Sequence, residues 1–590
     1  MFMKAKHLFI AGMALAAIAA CNKEAVSDGP VFNGDKAYIN VQLAYADPQT
    51  RGTGDSQNPF YYGTANENEV SNAHFFFYTA NGAFAEYANE TLDWTTNGVD
   101  NPTTDNVEKL SGGVVVLRNL KSTNYPTYMS VLLNANGNMV EALKGKSISE
   151  AQEYIINEIA TASGNSQIDW SNFVMTSSTY KAAKADAASG FFCVKLKASN
   201  FQDTEAAAKN SDNAVTAYVE RLAAKVKVGL AETIRDNKGK IGSYEVDGKL
   251  VDLYFHIHGW GLNGTTKDSY TFKNIDDTWS FGDFSWNDPA NFRSYWAKST
   301  VYGITDGVFP NNAAELRANP DMNTTLNYIS YDNLAVELEK NAYCRENTNT
   351  FDNLKRNFAG SVTSVLLKAT VEDAEGKALE LVNYKKELYT PAHYVDTVLS
   401  GYKKNHIGAN IIVCDGAAES ENRTYKDVDA ENTEIVNLGD GVVYVKLKAL
   451  TAPAFYCTGD VDTKNFSEQI TVDEANNLLN GTVSNEKATS ASYYKEGMMY
   501  YNIPIEHLRQ GIKFNEPGFK EKLNKDAEGV YGVVRNHYYM VNVKSIKNLG
   551  KAVYDPKEVI IPGDGDVNNY FVGAKINILS WKVVKQDVDL

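Results

Sequence analysis

Residues 36–45 read KAYINVQLAY, and every second side chain in this stretch is apolar. Side chains with that spacing share one face of a β-strand, so the pattern indicates a strand with one buried face. The shared face consists of Ala37, Ile39, Val41, Leu43 and Tyr45. Residues 442–450 (VVYVKLKAL) repeat the pattern, with apolar residues on one face and lysines on the other. The chain is therefore predicted to be mostly β, with sandwiches favoured over barrels and only a few short helices.

Local signals predict one hairpin and two capped helices. Residues 75–87 contain two short apolar runs around an Asn-Gly pair at 81–82, which favours a tight hairpin turn. The pairs Ser149–Gln152 and Thr471–Glu474 each fit a capping box at the start of a helix. The first of these helices is expected to carry Tyr154, Ile155 and Ile159 on its apolar side.

Length and charge narrow the class of protein. A chain of 590 residues is too long for one compact core, so at least two domains are expected. Its formal net charge is -16, whereas nucleic-acid binding needs clustered cations, so no nucleic-acid partner is predicted. With 43% hydrophobic residues the chain can bury a core, which argues against wholesale disorder. The polar stretch 200–213 marks the expected boundary, with domains at 52–213 and 214–573.

The N-terminus reads as an export signal. Lys4 and Lys6 precede the apolar run 8–20, which is too short to span a bilayer as a stable helix. The ending Ile18-Ala19-Ala20-Cys21 fits a bacterial lipobox, in which residues 1–20 are removed and Cys21 becomes a lipid anchor. An ordinary signal peptide with a cysteine beside its cleavage site is the alternative. No later stretch is long and apolar enough to predict a membrane span.

Motifs for catalysis or for a cofactor are not found in the sequence, so neither an enzymatic activity nor a cofactor is predicted. His256 and His258 share one face of a predicted strand, but two ligands without a third make a weak site, and no metal is predicted. A pair of glycosidase carboxylates among 73 acidic residues can be neither located nor excluded. The other four cysteines lack metal-ligand spacing. We expect them to be buried thiols, with one disulfide between two of them as the alternative. They are Cys193, Cys344, Cys414 and Cys457.

The two ends of the chain carry strands in unusual positions. The first strand is joined to the rest by a polar connection at 46–54, where Arg51 offers a protease site. The last segment, 574–590, follows a turn-rich stretch and changes its alternation midway, as a β-bulge would. Its apolar residues are Ile576, Ile578, Leu579, Trp581, Val583, Val588 and Leu590. Two interpretations remain: a last strand of its own domain, or a strand donated to another molecule's sheet.

Five short segments resemble the fimbrillins of the Bacteroidales, the type V pilus family that builds the short fimbriae of Porphyromonas. They occur in the family's order and, with the lipobox, cover nearly the whole chain. They lie at residues 219–226 (VERLAAKV), 343–348 (YCRENT), 500–505 (YYNIPI), 534–550 and 581–590.

The resemblance implies a route of assembly. In such fimbrillins a lipoprotein precursor reaches the cell surface, where an arginine-specific protease removes the first strand; here that cut falls between Arg51 and Gly52. The propeptide is then 21–51, and the segment 574–590 of one subunit fills the vacated groove of the next, head to tail. Both domains are expected to be transthyretin-like β-sandwiches. Expected partners are further copies of the chain, tip and anchor subunits, and host or bacterial surface receptors.

Other functions stay open at this point. A lipid-anchored adhesin, or a tip or anchor subunit that never donates its last strand, is the main alternative. A surface glycan hydrolase is a third hypothesis, without identifiable carboxylates. The stretch 236–323, rich in Asn, Trp and Tyr, is expected to form long loops, either adhesive or ordinary.

Overall fold

The computed structural model describes the larger part of the chain. The described residues, apart from short gaps within some ranges, are 36–45, 60–95, 110–118, 125–162, 170–179, 192–276, 296–303, 310–416, 423–482, 487–507, 528–562 and 581–589. They form a mostly-β structure with a few short helices, which confirms the predicted fold class.

The strands are numbered in chain order. The first thirteen are β1 Lys36–Tyr45, β2 Phe60–Tyr61, β3 Ala73–Tyr78, β4 Phe84–Ala88, β5 Thr91–Thr95, β6 Leu110–Arg118, β7 Tyr128–Leu133, β8 Ile155–Ile156, β9 Thr161–Ala162, β10 Trp170–Ser171, β11 Met175–Ser177, β12 Val194–Lys195 and β13 Val215–Arg221. The next ten are β14 Ala224–Leu230, β15 Lys238–Val246, β16 Lys249–Asn263, β17 Thr265–Thr266, β18 Ser269–Tyr270, β19 Leu326–Asn327, β20 Asn341–Cys344, β21 Ser364–Glu372, β22 Leu381–Tyr384 and β23 Glu387–Tyr389. The last eleven are β24 Asn410–Asp415, β25 Thr424–Asp427, β26 Thr433–Gly439, β27 Val442–Leu447, β28 Phe455–Asp460, β29 Asn465–Phe466, β30 Ala491–Tyr494, β31 Met498–Pro504, β32 His537–Ser545, β33 Lys551–Ala552 and β34 Trp581–Asp589.

The helices are short and scattered between the strands. The α-helices are Gly137–Leu143, Ile148–Gln152, Glu205–Ala208, Ala313–Ala318, Phe351–Arg356, Phe358–Ser361, Pro391–Asn405 and Val472–Asn480. Single 3₁₀ turns occur at Ala198–Asn200, Glu232–Ile234, Tyr331–Asn333, Ala430–Asn432 and Lys495–Gly497. Within the described ranges, none of the helices has both the length and the apolar character that crossing a membrane requires.

Two compact units divide the described residues. One contains residues 36–45, 70–154 and 175–220, and the other contains 60–69, 155–174 and the chain from 221 onward. The last division falls between Glu220 and Arg221, close to the boundary predicted at 213 and 214. Residues 60–69 and 155–174 precede that division in the sequence but belong to the second unit. No pattern in the sequence indicates this.

The first unit is built on a nine-stranded sheet. The strand order is β4-β3-β7-β11-β13-β1-β6-β5, and β12 pairs with β7. Its strand β3, next to the edge strand β4, is strongly apolar: Phe75, Phe76 and Phe77 are all completely buried. The predicted hairpin is confirmed, since β3 and β4 pair antiparallel around a turn in which Gly82 has a φ of 80°.

The second unit contains a β-sandwich. A five-stranded sheet (β2-β34-β32-β14-β20) and a ten-stranded sheet (β26-β27-β30-β22-β23-β15-β16-β21-β31-β33) share one apolar core. Val226 and Val541 reach this core from the smaller sheet, and Phe255, Leu367 and Tyr501 reach it from the larger one. Two sheets with interdigitating inner faces are the expected way to bury alternating strands.

A second core lies farther along the ten-stranded sheet. The helix Pro391–Asn405 packs there with the four-stranded sheet β25-β24-β28-β29 and the helix Val472–Asn480. Tyr394, Val398 and Tyr402 follow one another at intervals of four residues on the buried side of the first helix. That spacing is the apolar stripe of an amphipathic helix.

Two local predictions are corrected by the structure. The first capping box is formed by Ser147 and Glu150, not by Ser149 and Gln152, and its helix ends at Gln152 because residues 155–156 form β8 instead. In the stretch 236–323, residues 238–263 are not loops, because they form the strands β15 and β16, which pair with each other. Residues 277–295 of that stretch lie outside the described residues. The second capping box, Thr471 with Glu474, is confirmed.

Candidate assembly strands and the buried motif cluster

β1 lies inside the nine-stranded sheet, between β6 and β13. It pairs antiparallel with β6 along most of its length and parallel with β13 over its C-terminal half. Ala37, Ile39 and Val41 are completely buried. The side chains of Leu43 and Tyr45 lie outside the described part of the structure, although both residues belong to the strand. β1 is therefore a central strand, held by main-chain hydrogen bonds on both sides.

β34 lies in the five-stranded sheet, between β32 and β2. It pairs parallel with β32 from Lys582 to Asp589. On the other side, β2 contributes only Phe60 and Tyr61, opposite Lys582 and Trp581. Among the described residues, β34 thus has no strand partner on this second side beyond Lys582. It is nearly an edge strand, and it completes the sheet of its own chain.

The other predicted site residues either belong to β34 or lie outside the described residues. Trp581, Val583 and Val588 belong to β34, where only the backbone is described. Outside the described residues lie Cys21, Arg51, Gly52, Ile576, Ile578, Leu579 and Leu590.

Three of the fimbrillin-like motifs meet around one buried carboxylate in the second unit. Glu67 is 1% exposed, and its Oε1 accepts hydrogen bonds from Nζ of Lys225 at 2.7 Å and from the hydroxyl of Tyr343. Arg221, also fully buried, donates from Nε to the carbonyl of Glu67 at 2.8 Å and from Nη1 to Oδ1 of Asn536 at 3.0 Å. Such a group is stable in the interior only because each charge has a partner.

The electrostatics of this cluster favour the ionised carboxylate. Burial alone would raise the pKa of Glu67, but the charges of Lys225 and Arg221 and the hydrogen bonds from Lys225 and Tyr343 outweigh it and lower the pKa. Glu67 follows β2 by only a few residues. The cluster therefore fixes the chain next to the strand that borders β34.

A second buried ion pair joins the motif at 343–348 to the motif at 534–550. Nη2 of Arg535 lies 2.6 Å from Oε2 of Glu346, and both side chains are almost completely buried. Beside it, Asn347 exchanges two backbone hydrogen bonds of 2.8 Å with Val533. Its side-chain amide also donates to the carbonyl of Gly264 at 2.8 Å. The YCRENT and VRNHYY segments thus form one buried polar junction of the second unit.

Glu67 was not found by sequence reasoning. It lies in a short polar segment without strand or helix periodicity, and its partners are more than 150 residues away. Lys225 carried a weak signal, because it interrupts an apolar run in β14. A buried lysine needs a carboxylate, but the sequence does not say which of the 73 acidic residues supplies it.

The four cysteines after Cys21 are buried thiols in the structure. Burial raises the pKa of Cys344 to about 12. Cys414 and Cys457 lie on the neighbouring strands β24 and β28 in one apolar cluster, and their thiols are hydrogen-bonded to each other. Burial also raises the pKa of Cys193. Thiols of this kind are unreactive as nucleophiles at neutral pH.

Residues 492–587 match the family "Major fimbrial subunit protein type IV, Fimbrillin, C-terminal". The match takes in β31, β32, β33 and most of β34, which includes the VRNHYY segment of the buried junction. Over these residues it confirms the resemblance to the fimbrillins that the sequence motifs indicate. No curated protein sequence matches the chain.

Solved structures of fimbrial and adhesion proteins align with the chain at low similarity. A putative cell adhesion protein from Parabacteroides distasonis is 12% identical, covering 58% of this chain and 77% of that one, with a TM-score of 0.27. A fimbrial assembly protein from the same species is 12% identical, covering 73% and 99%, with a TM-score of 0.24. The tip fimbrial protein Mfa3 from Porphyromonas gingivalis, with a C-terminal truncation, is 8% identical, covering 56% and 77%, with a TM-score of 0.24. With TM-scores below 0.5, these alignments support no conclusion about this chain.

Proposed function

We propose, from the premise that residues 492–587 are similar to the C-terminal region of a major fimbrial subunit, that this chain is a shaft subunit of a cell-surface fimbria. The observation that carries the proposal is the position of β1, which is a central strand of its sheet and yet precedes the arginine at which the precursor would be cut. A shaft subunit has a mechanical role and requires no catalysis by the chain itself.

The first step is export and anchoring. The precursor crosses the inner membrane by its signal peptide and is held at the outer membrane by lipid on Cys21, since each buried methylene contributes about 0.8 kcal/mol. An arginine-specific protease then cuts between Arg51 and Gly52. This single cut separates the mature subunit, residues 52–590, from both the lipid and β1.

Loss of β1 would leave a groove that binds another β-strand tightly. β6 and β13 would each lose a line of main-chain partners, and unpaired buried peptide groups are costly. The floor of the groove would expose the apolar surface that Ala37, Ile39 and Val41 now cover. Burial of each aliphatic side chain contributes about 1.5–3 kcal/mol, so a similar strand with alternating apolar residues would bind tightly.

The C-terminal strand has the properties of such an insert. β34 and β1 are nine and ten residues long, so each extends for about 30 Å. β1 alternates apolar residues throughout, and β34 does so at Trp581 and Val583. Both already run parallel to one neighbour, β13 for β1 and β32 for β34. Residues 563–573 precede the donor segment 574–590, and a chain of that length reaches at most roughly 40 Å when fully extended. That reach is compatible with delivery of the strand to another subunit.

Assembly by this exchange is head to tail. Each subunit offers a groove in its first unit and a strand from its second, so the contact is heterologous and propagates an open fibre. Tip and anchor subunits would end the fibre, and adhesion to host or bacterial surfaces would follow from its exposure on the cell.

A second function is favoured by one observation. β34 is paired with β32 of its own chain along most of its length, as expected of a subunit that keeps its last strand. Such a chain would be a lipid-anchored adhesin or a tip or anchor subunit. The shaft function instead requires β34 to leave this sheet before it enters a neighbour.

The two functions are distinguished by the fate of Arg51. Purified precursor treated with an arginine-specific protease should yield a species that begins at Gly52 and forms ladders in SDS gels without boiling. The matched variant Arg51→Ala should keep its N-terminus and stay monomeric under the same treatment. Protein recovered from the cell surface should likewise begin at Gly52. Cut protein that stays monomeric at high concentration would exclude the shaft function and leave the anchored adhesin.

A further inference from the structure

Two histidines that lack a third ligand in the sequence acquire one in the folded sheet. His256 and His258 lie on β16, and Glu372 ends the neighbouring strand β21. The residues that alternate with the histidines, Phe255 and Ile257, belong to the sandwich core. The two imidazoles and the carboxylate therefore lie on the outer face of the ten-stranded sheet.

A β-bulge brings the two rings together. The register of β16 against β21 shifts between Ile257 and Gly259, so His258 is the extra residue of the bulge. In a regular strand, residues two apart are separated by roughly 6.6 Å. Here the ring centroids of His256 and His258 are 4.2 Å apart. Bulges commonly redirect a side chain next to a functional site.

The donor atoms are close to the spacing of ligands on one ion. Nδ1 of His256 lies 3.1 Å from Oε1 of Glu372. Two ligands of a tetrahedral Zn²⁺ ion stand roughly 3.3 Å apart, given metal–ligand bonds near 2.0–2.1 Å. One ligand atom from each of the three residues lies within 4.8 Å of the other two. His258 is exposed, so we expect its ring to rotate and close the remaining distance when an ion binds.

A fourth residue orients the group. The hydroxyl of Thr370 is 2.8 Å from Nε2 of His258 and donates to Oε1 of Glu372 at 3.0 Å. Hydrogen bonds of this kind fix the orientation of metal ligands in proteins. Among the described residues, no other three His, Cys, Asp or Glu side chains come together in this way.

We propose that His256, His258 and Glu372 bind a divalent transition-metal ion, Zn²⁺ being the best match. Two imidazoles and a carboxylate suit Zn²⁺ better than Ca²⁺ or Mg²⁺, which prefer oxygen ligands. The fourth position faces solvent and takes water.

The test is calorimetric titration of ZnCl₂ into the purified full chain without a histidine tag, with MgCl₂ and CaCl₂ as comparison ions. Wild-type protein should bind one equivalent of Zn²⁺ and neither of the other ions at the same concentration. His256→Ala, His258→Ala and Glu372→Gln should each weaken Zn²⁺ binding by more than about tenfold. Bound Co²⁺ should give the intense visible bands of a tetrahedral site.

The matched control is His393→Ala. His393 is exposed and lies 3.3 Å from a carboxylate oxygen of Asp247, so it offers a histidine–carboxylate pair without a second imidazole. This variant should bind Zn²⁺ like the wild type. The proposal is overturned if the wild type binds no Zn²⁺ or if His258→Ala binds it unchanged. Because His258 is exposed, that variant should keep the far-UV circular dichroism and melting temperature of the metal-free protein.

Discussion

β1 and β34 are strands of nearly equal length that are held in opposite ways. β1 is paired on both sides, with β6 from Lys36 to Ala44 and with β13 from Val41 to Tyr45. β34 is paired along one side with β32, and on the other side, within the part of the chain that the structure describes, only the two residues of β2 reach it. The first is a central strand and the second is close to an edge.

This difference indicates what each strand needs before it can move. A central strand leaves its sheet only if main-chain hydrogen bonds on both sides break together, so removal of β1 requires a covalent cut and a strong replacement. A near-edge strand gives up one set of bonds and can detach without opening the rest of its sheet. The asymmetry suits a subunit that loses its first strand by a single cut and then passes its last strand to one neighbour.

The largest expected effect comes from removing the donor. A precursor that ends at residue 573 should be cut at Arg51 as the full chain is, but should form no SDS-resistant ladder, because nothing fills the groove left by β1. Its circular dichroism should remain that of a folded protein, since β34 is nearly an edge strand. Global unfolding of this truncation would show that β34 is indispensable to its own sheet and would remove the contrast with β1.

A charged residue introduced into β1 should lower the stability of the precursor and leave the cut subunit unaffected. Val41→Asp places a carboxylate at a completely buried position, and we expect a loss of about 4 kcal/mol in the free energy of unfolding of the precursor. Denaturant unfolding measures it, and Asn40→Asp, at a partly exposed position on the same strand, is the matched control. Protein cut at Arg51 has lost the substituted residue. If its fibres are weakened as well, β1 is not removed.

Loss of the buried carboxylate beside β2 should destabilise the second unit. Glu67→Gln removes the carboxylate charge that pairs with the buried ammonium of Lys225, and we expect a loss of about 3 kcal/mol in the free energy of unfolding. Glu69→Gln, an exposed carboxylate two residues away, should change stability little. Since Glu67 holds the chain that carries β2, the variant should also release β34 more readily, which faster ladder formation after cleavage would reveal. Unchanged stability would mean that the cluster does not anchor this segment.

The same carboxylate predicts a dependence on pH. The pKa of Glu67 is lowered in the folded protein from its ordinary value of 4.5. A group with a lowered folded-state pKa contributes stability that is present above the unfolded-state value and is lost as the pH falls through the folded-state value. Melting temperatures should therefore fall more steeply below about pH 4.5 in wild type than in Glu67→Gln. Parallel curves for the two proteins would contradict the assignment.

The smallest expected effect is the loss of one hydroxyl. Tyr343→Phe removes the hydrogen bond to the Glu67 carboxylate. Denaturant unfolding should show a loss of about 2 kcal/mol in the free energy of unfolding, because hydrogen bonds to charged groups contribute more than neutral ones. Tyr538→Phe is the matched control, since its hydroxyl donates to the neutral amide of Asn341 at 3.2 Å. The control should cost about 1 kcal/mol. Equal losses would argue that Glu67 is not ionised.

Local structure was predictable wherever neighbouring residues decide it. The hairpin at 75–87 and the capping box of Thr471 and Glu474 depend on residues a few positions apart, and both were predicted correctly. The error at Ser149 has the same local origin, because Ser147 competes for the cap and its partner Glu150 reaches back to it. The helix Pro391–Asn405 was missed, although Pro391 and the four-residue spacing of its apolar side chains indicated it.

By itself the sequence determined the β class, the two alternating terminal strands and the motifs that led to the fimbrillins, because alternation and motif order can be read along the chain. Only the tertiary structure decided that β1 is central and β34 nearly an edge, that Glu67 is the partner of Lys225, and that Glu372 joins His256 and His258. These are pairings between residues far apart in sequence. Strand order and the choice of one carboxylate among many are set by the packing of whole sheets, which no local pattern encodes.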